Sequence, residues 1–205
     1  MIISVVNLIK GGVGKSTIAI NLTAMLEHDG KSVKLIDMDE AQGAAYKWSI
    51  KAGINGFFNP TLDELSELIE DKESAFIFDT GGYDLVTTQA LMSVSDIILI
   101  PTGISPIGIE AFASLIGKIE NIKNILDKQM NLIIVPNMID TRLKKVSAAK
   151  QFTVLKELGY KISPTIHRRV AYEKSYKDGG SVLTHGDIKA RTEIYNLSEY
   201  IKDCM

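Results

Sequence analysis

The sequence holds 205 residues, 45% hydrophobic and 23% charged, with a net charge of −2 and one cysteine. That length matches one domain of ordinary size, and the balance of apolar and charged residues excludes wholesale disorder. No apolar run reaches the roughly 20 residues of a bilayer span; MIISVVNLIK lacks the features of a secretory leader, and Cys204 alone excludes an internal disulfide or a Cys-x-x-Cys site, so a cytoplasmic protein is expected.

In chain order, Ile2–Leu8 reads as a strand, followed by a glycine-rich turn and a helical stretch from Ser16 to about His28. Val33–Asp37, Ala75–Asp79, Asp96–Pro101 and Leu132–Pro136 are further strand candidates. Their runs of Ile, Val and Leu without polar alternation are what strands buried on both faces require. Helical patterns lie between and after them, over Leu62–Glu70, Leu85–Ser93, Ile107–Leu126, Lys144–Leu158, Ala171–Lys177 and Ile188–Ile201. Strand–helix alternation of this kind predicts a single α/β domain over 1–205, a mostly parallel twisted sheet with helices on both faces. In such folds ligands bind at the carboxyl ends of the strands, where Lys10–Thr17, Asp37–Asp39, Asp79–Gly82, Thr102–Pro106 and Asn137–Arg142 converge.

Gly11-Gly12-Val13-Gly14-Lys15-Ser16 sits between the first strand and the first helix. The simplest phosphate-loop pattern, G-x-x-x-x-G-K-[ST], would need glycine at Ile9; the sequence instead follows the variant K-G-G-x-G-K-[ST] from Lys10. The physics is unchanged. Glycines let several backbone N–H groups face one phosphate, and the following helix adds the positive end of its dipole. Lys15 is expected on the β- and γ-phosphates, the Ser16 hydroxyl on Mg²⁺, and Thr17 beside the α-phosphate. The domain is therefore expected to be a P-loop NTPase. Asp79 ends an apolar run as a Walker B aspartate does, and is expected to hold Mg²⁺ through water. Asp37 and Asp39 end the second strand; acids there suit the metal and the attacking water, and also suit capping of the segment that follows.

Lys10-Gly11-Gly12-Val13-Gly14-Lys15-Ser16-Thr17 resembles the deviant Walker A box of the ParA/MinD ATPases. Leu35–Asp39 is similar to the family's switch I strand, and Phe78-Asp79 with Gly81 and Gly82 to switch II. Asn137–Arg142 resembles a family segment near the adenine pocket, and Arg169–Tyr172 with Asp178–Val182 the C-terminal region of the small, ParF-like plasmid partition proteins. Two departures stand out. Glu40-Ala41-Gln42 replaces the usual Pro-Gln after the second acid, and the proline-rich segment retains only Pro101 and Pro106.

The resemblance implies a homodimer with ATP sandwiched at its interface, Lys10 reaching the partner's nucleotide. It implies catalytic roles for Lys10, Lys15 and Asp39, and nucleotide contacts from Lys10 through Thr17 with Asn137 and Arg142. Mg²⁺ would be held by Ser16, Asp37 and Asp79, the acids through water. The implied function is an ATP-dependent switch for plasmid DNA partition, binding DNA without sequence preference and hydrolysing ATP when a small centromere-binding protein stimulates it. Like the small members, the chain is expected to carry no N-terminal helix-turn-helix, and to be nucleoid-associated in the ATP state.

Charge distribution bears on that expectation. Residues 1–140 hold 10 Lys/Arg against 18 Asp/Glu, and residues 141–205 hold 13 against 7. Lys144, Lys145, Arg168, Arg169, Lys189 and Arg191 are the candidate DNA contacts. Solvated helix faces explain the same lysines, and Arg169 fits an ion pair equally well. A MinD-like membrane switch would need a basic amphipathic tail, which the mixed-charge terminus Leu197–Met205 lacks. A metal-cluster carrier would need paired cysteines, and in a small-molecule kinase Lys10 would have no special role. An ATPase positioning a membrane or protein cargo is the principal alternative to partition.

Overall fold

Five apolar strands and two short edge strands build one parallel sheet in the order β3-β2-β4-β1-β5-β6-β7. The computed structural model describes residues 1–6, 8, 12–81, 85–103, 108–126, 129–142, 152–177 and 179–205, with backbone only at 85 and 108–112. The strands are β1 (Ile2–Val5), β2 (Val33–Met38), β3 (Gly56–Phe58), β4 (Ala75–Thr80), β5 (Ile97–Thr102), β6 (Leu132–Pro136) and β7 (Lys161–Ile162). β1 is central, parallel to β4 on one side and to β5 on the other. The chain thus reverses its direction of travel across the sheet at β1, which opens a crevice at the carboxyl ends of these strands. β3 and β7 are additions to the five expected strands, and both lie at sheet edges.

Side chains alternate across the sheet with period two. Ile3, Val5, Val33, Leu35, Ala75, Ile77, Ile97, Leu99, Ile133 and Val135 share one core with α1 (Lys15–His28), α2 (Ala44–Ala52), α6 (Val170–Lys177) and α7 (Ile188–Asp203). Ile98, Ile100, Leu132 and Ile134 meet α4 (Leu85–Val94) and α5 (Gly108–Leu126) on the opposite face, with a helical segment over 152–157. Ile36, Phe76 and Phe78 pack with Leu65 of α3 (Leu62–Leu68). This alternation decides the site. Asp37 follows Val33 and Leu35, and Asp79 follows Ala75 and Ile77, so both carboxylates fall on the face covered by α1.

Candidate nucleotide site

The phosphate loop gains its shape from two glycines. Gly12 and Gly14 adopt φ of 76° and 81°, a region that costs any residue with a Cβ about 1 kcal/mol or more. Gly14 also caps α1, with no side-chain cap bond. The first amides of α1 are thereby left to a ligand, and a phosphate is the natural one. Asn137, at the end of β6, fixes the loop from outside: its Nδ2 donates to the Val13 carbonyl at 2.7 Å. A Cβ on Gly14 would stand 2.5 Å from that same Nδ2. Gly14→Ala should therefore break the Asn137 tie and strain the loop together. We expect a loss of about 1–3 kcal/mol, or roughly 2–12 °C in melting temperature for a chain of this size, with Mg-ATP affinity falling at least tenfold. Unchanged melting in differential scanning calorimetry would contradict this account of the loop.

Asp37 and Asp79 are direct register partners on neighbouring strands, and both are fully buried. Their surroundings differ. Asp37 accepts from the Asp39 amide at 2.9 Å and from the Tyr46 amide, in the first turn of α2, at 2.9 Å. Burial raises its pKa, and these amides oppose the rise. Asp37 therefore serves the N-terminus of α2, the capping role open to it on sequence, although Gly43 is the formal cap residue. Among the described residues, neither oxygen of Asp79 has a partner at full hydrogen-bond geometry, the Ser16 hydroxyl being the nearest polar group that acts on it. Burial pushes its pKa up to about 7, tempered by the nearby Ser16 hydroxyl and, less, by the Lys15 ammonium, while Asp37 adds to the rise. A buried carboxylate without a partner beside Ser16 and Lys15 fits Mg²⁺ and its water shell, because a bound cation supplies what the protein lacks. The two switch segments also touch: a Cβ on Gly81 would meet the Met38 carbonyl at 2.9 Å.

These groups open into a cleft of about 530 Å³. It is lined by Gly12–Thr17, by Asp39 and Gln42, by Asn137 and Met138, and by residues of the 167–177 segment. Lys15 is only 8% exposed, so its ammonium is held within the site rather than free in solvent. Met138 adopts φ of 56°, an unusual backbone for a large side chain, at the edge of the phosphate loop.

Gly12, Val13, Gly14, Lys15, Ser16, Thr17, Asp39 and Asn137 all line this cleft, and Asp37 and Asp79 stand beside it. Lys10, Gly11, Lys144 and Lys145 lie outside the described residues. Arg142 is placed away from the cleft: it forks onto Asp140, with Nη2 donating at 2.6 Å, and its side chain is 88% exposed. Two charges this close in sequence satisfy each other on the surface, so Arg142, expected at the nucleotide, does not line the cleft. Of the two roles open to Arg169, the ion pair is the one formed, with Glu193 at 2.6 Å and its side chain 17% exposed, in place of the DNA contact. Arg168, Lys189 and Arg191 are exposed, with one Arg191 Nη donating to the Leu183 carbonyl. Arg168 lines the cleft as well. Glu193 carries no motif, and only tertiary structure brings it to the site.

The CobQ/CobB/MinD/ParA nucleotide-binding domain matches residues 3–182, and the chain belongs to that family. It is a phosphate-loop ATPase of the ParA/MinD class, built on a nucleotide-binding domain. Among relatives, the maintenance of carboxysome distribution protein A of Halothiobacillus neapolitanus is 29% identical over 194 residues, 90% of this chain and 87% of that protein. The chromosome-partitioning ATPase Soj of Thermus thermophilus is 27% identical over 168 residues, 65% of this chain and 68% of Soj. A putative plasmid partition protein from Borrelia burgdorferi, solved with AMPPNP, superposes with a TM-score of 0.69 at 21% identity, covering 100% of this chain and 99% of that one.

Proposed function

We propose that this chain is a positioning ATPase that dimerises around ATP, holds DNA without sequence preference in that state, and lets go after hydrolysis. One observation carries the proposal most: the phosphate loop, through Lys15 and Ser16, stands beside Asp79, a buried carboxylate with no hydrogen-bond partner among the described residues. The amides of Gly12–Thr17 would bind the phosphates, and Lys15 would neutralise their β/γ end. Ser16 would ligate Mg²⁺, with Asp79 holding its waters and Asp37 behind it. Mg²⁺, when bound, supplies positive charge to the phosphate oxygens. Asp39 faces the cleft and would position the attacking water rather than bind the phosphates. Asp39→Ala should thus keep Mg-ATP binding and lose turnover, about 100-fold or more by the measure of other lost transition-state contacts.

Sequence-independent DNA binding draws support from the excess of basic residues after residue 140 and from the exposed Arg168, Lys189 and Arg191. By the resemblance a small centromere-binding protein would stimulate hydrolysis, with the ATPase on the nucleoid in the cytoplasm. Filter binding of random duplex DNA tests this reading. Retention should be strong with Mg-ATP, weak with Mg-ADP, and fall with salt by a log–log slope of about −0.9 per phosphate contact. Equal retention with both nucleotides would remove DNA from the proposal. A second reading has its own support: the relative aligned over 90% of this chain is named for carboxysome distribution, so a protein cargo is the alternative to plasmid DNA. Among the described residues, no helix is long and apolar enough to cross a membrane.

A further inference from the structure

We propose that Glu193, on the C-terminal helix, is a positioning residue for the nucleoside half of the bound nucleotide, acting through Arg169 and His167. The inference rests on the reading of the cleft as a nucleotide site and names the part of it that no phosphate contact explains. α7 brings Glu193 to the back of the 167–177 wall, its start fixed by Asp187, whose side chain accepts from the Ala190 amide at 3.0 Å. The Glu193 side chain is 11% exposed. One carboxylate oxygen accepts from His167 Nδ1 at 2.8 Å and from Arg169 Nη2 at 2.6 Å. The other accepts from the His167 amide at 3.2 Å and the Tyr172 hydroxyl at 3.3 Å. A single carboxylate therefore gathers three side chains and one amide from a six-residue segment.

Those three side chains are in the cleft. His167, Arg169 and Tyr172 all line it, together with the phosphate loop. A nucleotide held by its phosphates at Gly12–Thr17 must lay its ribose and base along the remaining length of the cleft. Arg169 turns its Nε–Nη2 edge to Glu193, so the opposite guanidinium edge faces away from that carboxylate. The same wall is stitched to the end of β6. Ile139 donates its amide to Ile166 at 3.2 Å, and Arg168 donates to Ile139 at 2.9 Å. Two residues before Ile139, Asn137 anchors the phosphate loop. Fixing His167 and Arg169 thus fixes the distance between the phosphate end and the nucleoside end of the cleft. A charged, part-buried arginine that loses its carboxylate would be drawn to other anions and abandon that geometry.

The test separates the two halves of the ligand. Calorimetric titration with Mg-ATP and with Mg-tripolyphosphate, which lacks a nucleoside, is run on wild type, Glu193→Ala and the near-isosteric Glu193→Gln. The proposal expects ATP to bind at least tenfold more weakly to both variants, with tripolyphosphate within about twofold of wild type or tighter. Arg169→Leu should reproduce the loss, and combining it with Glu193→Ala should add little, because the two act as one unit. Parallel loss of both ligands would assign Glu193 a purely structural role and overturn the proposal, as would unchanged ATP affinity in a folded variant. Failure of the underlying reading is a distinct result: wild-type protein that binds neither ligand, which would overturn the nucleotide site and this inference together.

Discussion

At pH 8 without nucleotide, Asp79→Asn should melt about 3–10 °C above the wild type while losing ATP turnover. The reason is the unpartnered carboxylate. In the folded chain Asp79 holds its proton up to about pH 7, against 3.8 in the unfolded chain. Between those values the folded state binds the extra proton, so stability falls as pH rises from about 4 to 7 and then levels off. At about 1.4 kcal/mol per tenfold, the full cost approaches roughly 4 kcal/mol above pH 7. Asparagine removes the charge but brings amide protons that also lack partners, which returns about 1–3 kcal/mol of that gain. The advantage of the variant should be lost near pH 4, where the folded-state Asp79 is neutral and almost none of the charge cost remains. Calorimetric melts from pH 4 to 8 check the trend; a gain that is absent at pH 8, or equal at every pH, would contradict the picture. Mg²⁺ with ATP should narrow the gap by stabilising wild type more than the variant.

Lys15→Ala should reduce Mg-ATP affinity by roughly 10- to 150-fold, the range of a charge-assisted hydrogen bond of about 1.5–3 kcal/mol. The ammonium lies within the cleft and has no substitute there among the described residues of the loop. Turnover should fall further than affinity, by about 10²–10³, because charge on the γ-phosphate builds in the transition state. A second effect follows from the same position. Lys15 helps to offset the Asp79 charge, so its loss should lower the apo melting temperature at pH 8 more than at pH 4. Calorimetric titration and steady-state turnover together test this. Unchanged Mg-ATP affinity would sink the assignment of Lys15.

Most of the site was readable because its determinants are local. The phosphate loop is one continuous stretch whose glycines require positive φ at Gly12 and Gly14, and the acids end apolar strands of period two. β3 and β7 escaped because GFF and KI are too short to carry a pattern, and they form only against an existing edge. The N-terminus of α2 went unmarked for a different reason. Its amide partner is Asp37, nine residues before Tyr46, so no local cap marks it. Glu193 could not be found from sequence at all: on a helix it is one acid among several, and only packing of α7 against the 167–172 segment gives it Arg169 and His167. Arg142 and Arg169 show the limit of reading a cation from sequence: the resemblance put Arg142 at the nucleotide, Arg169 was open to DNA or to an ion pair, and each is held by an acid of this chain.

The claim of an ATP-gated switch is tested most directly by the mass of the protein in solution with each nucleotide. Multi-angle light scattering on Asp39→Ala, which should bind ATP without consuming it, avoids decay of the ATP state during the run. The account predicts twice the monomer mass with Mg-ATP and the monomer mass with Mg-ADP, and it predicts that Lys15→Ala stays monomeric with both. The same mass with ATP and ADP, at saturating nucleotide, would contradict it.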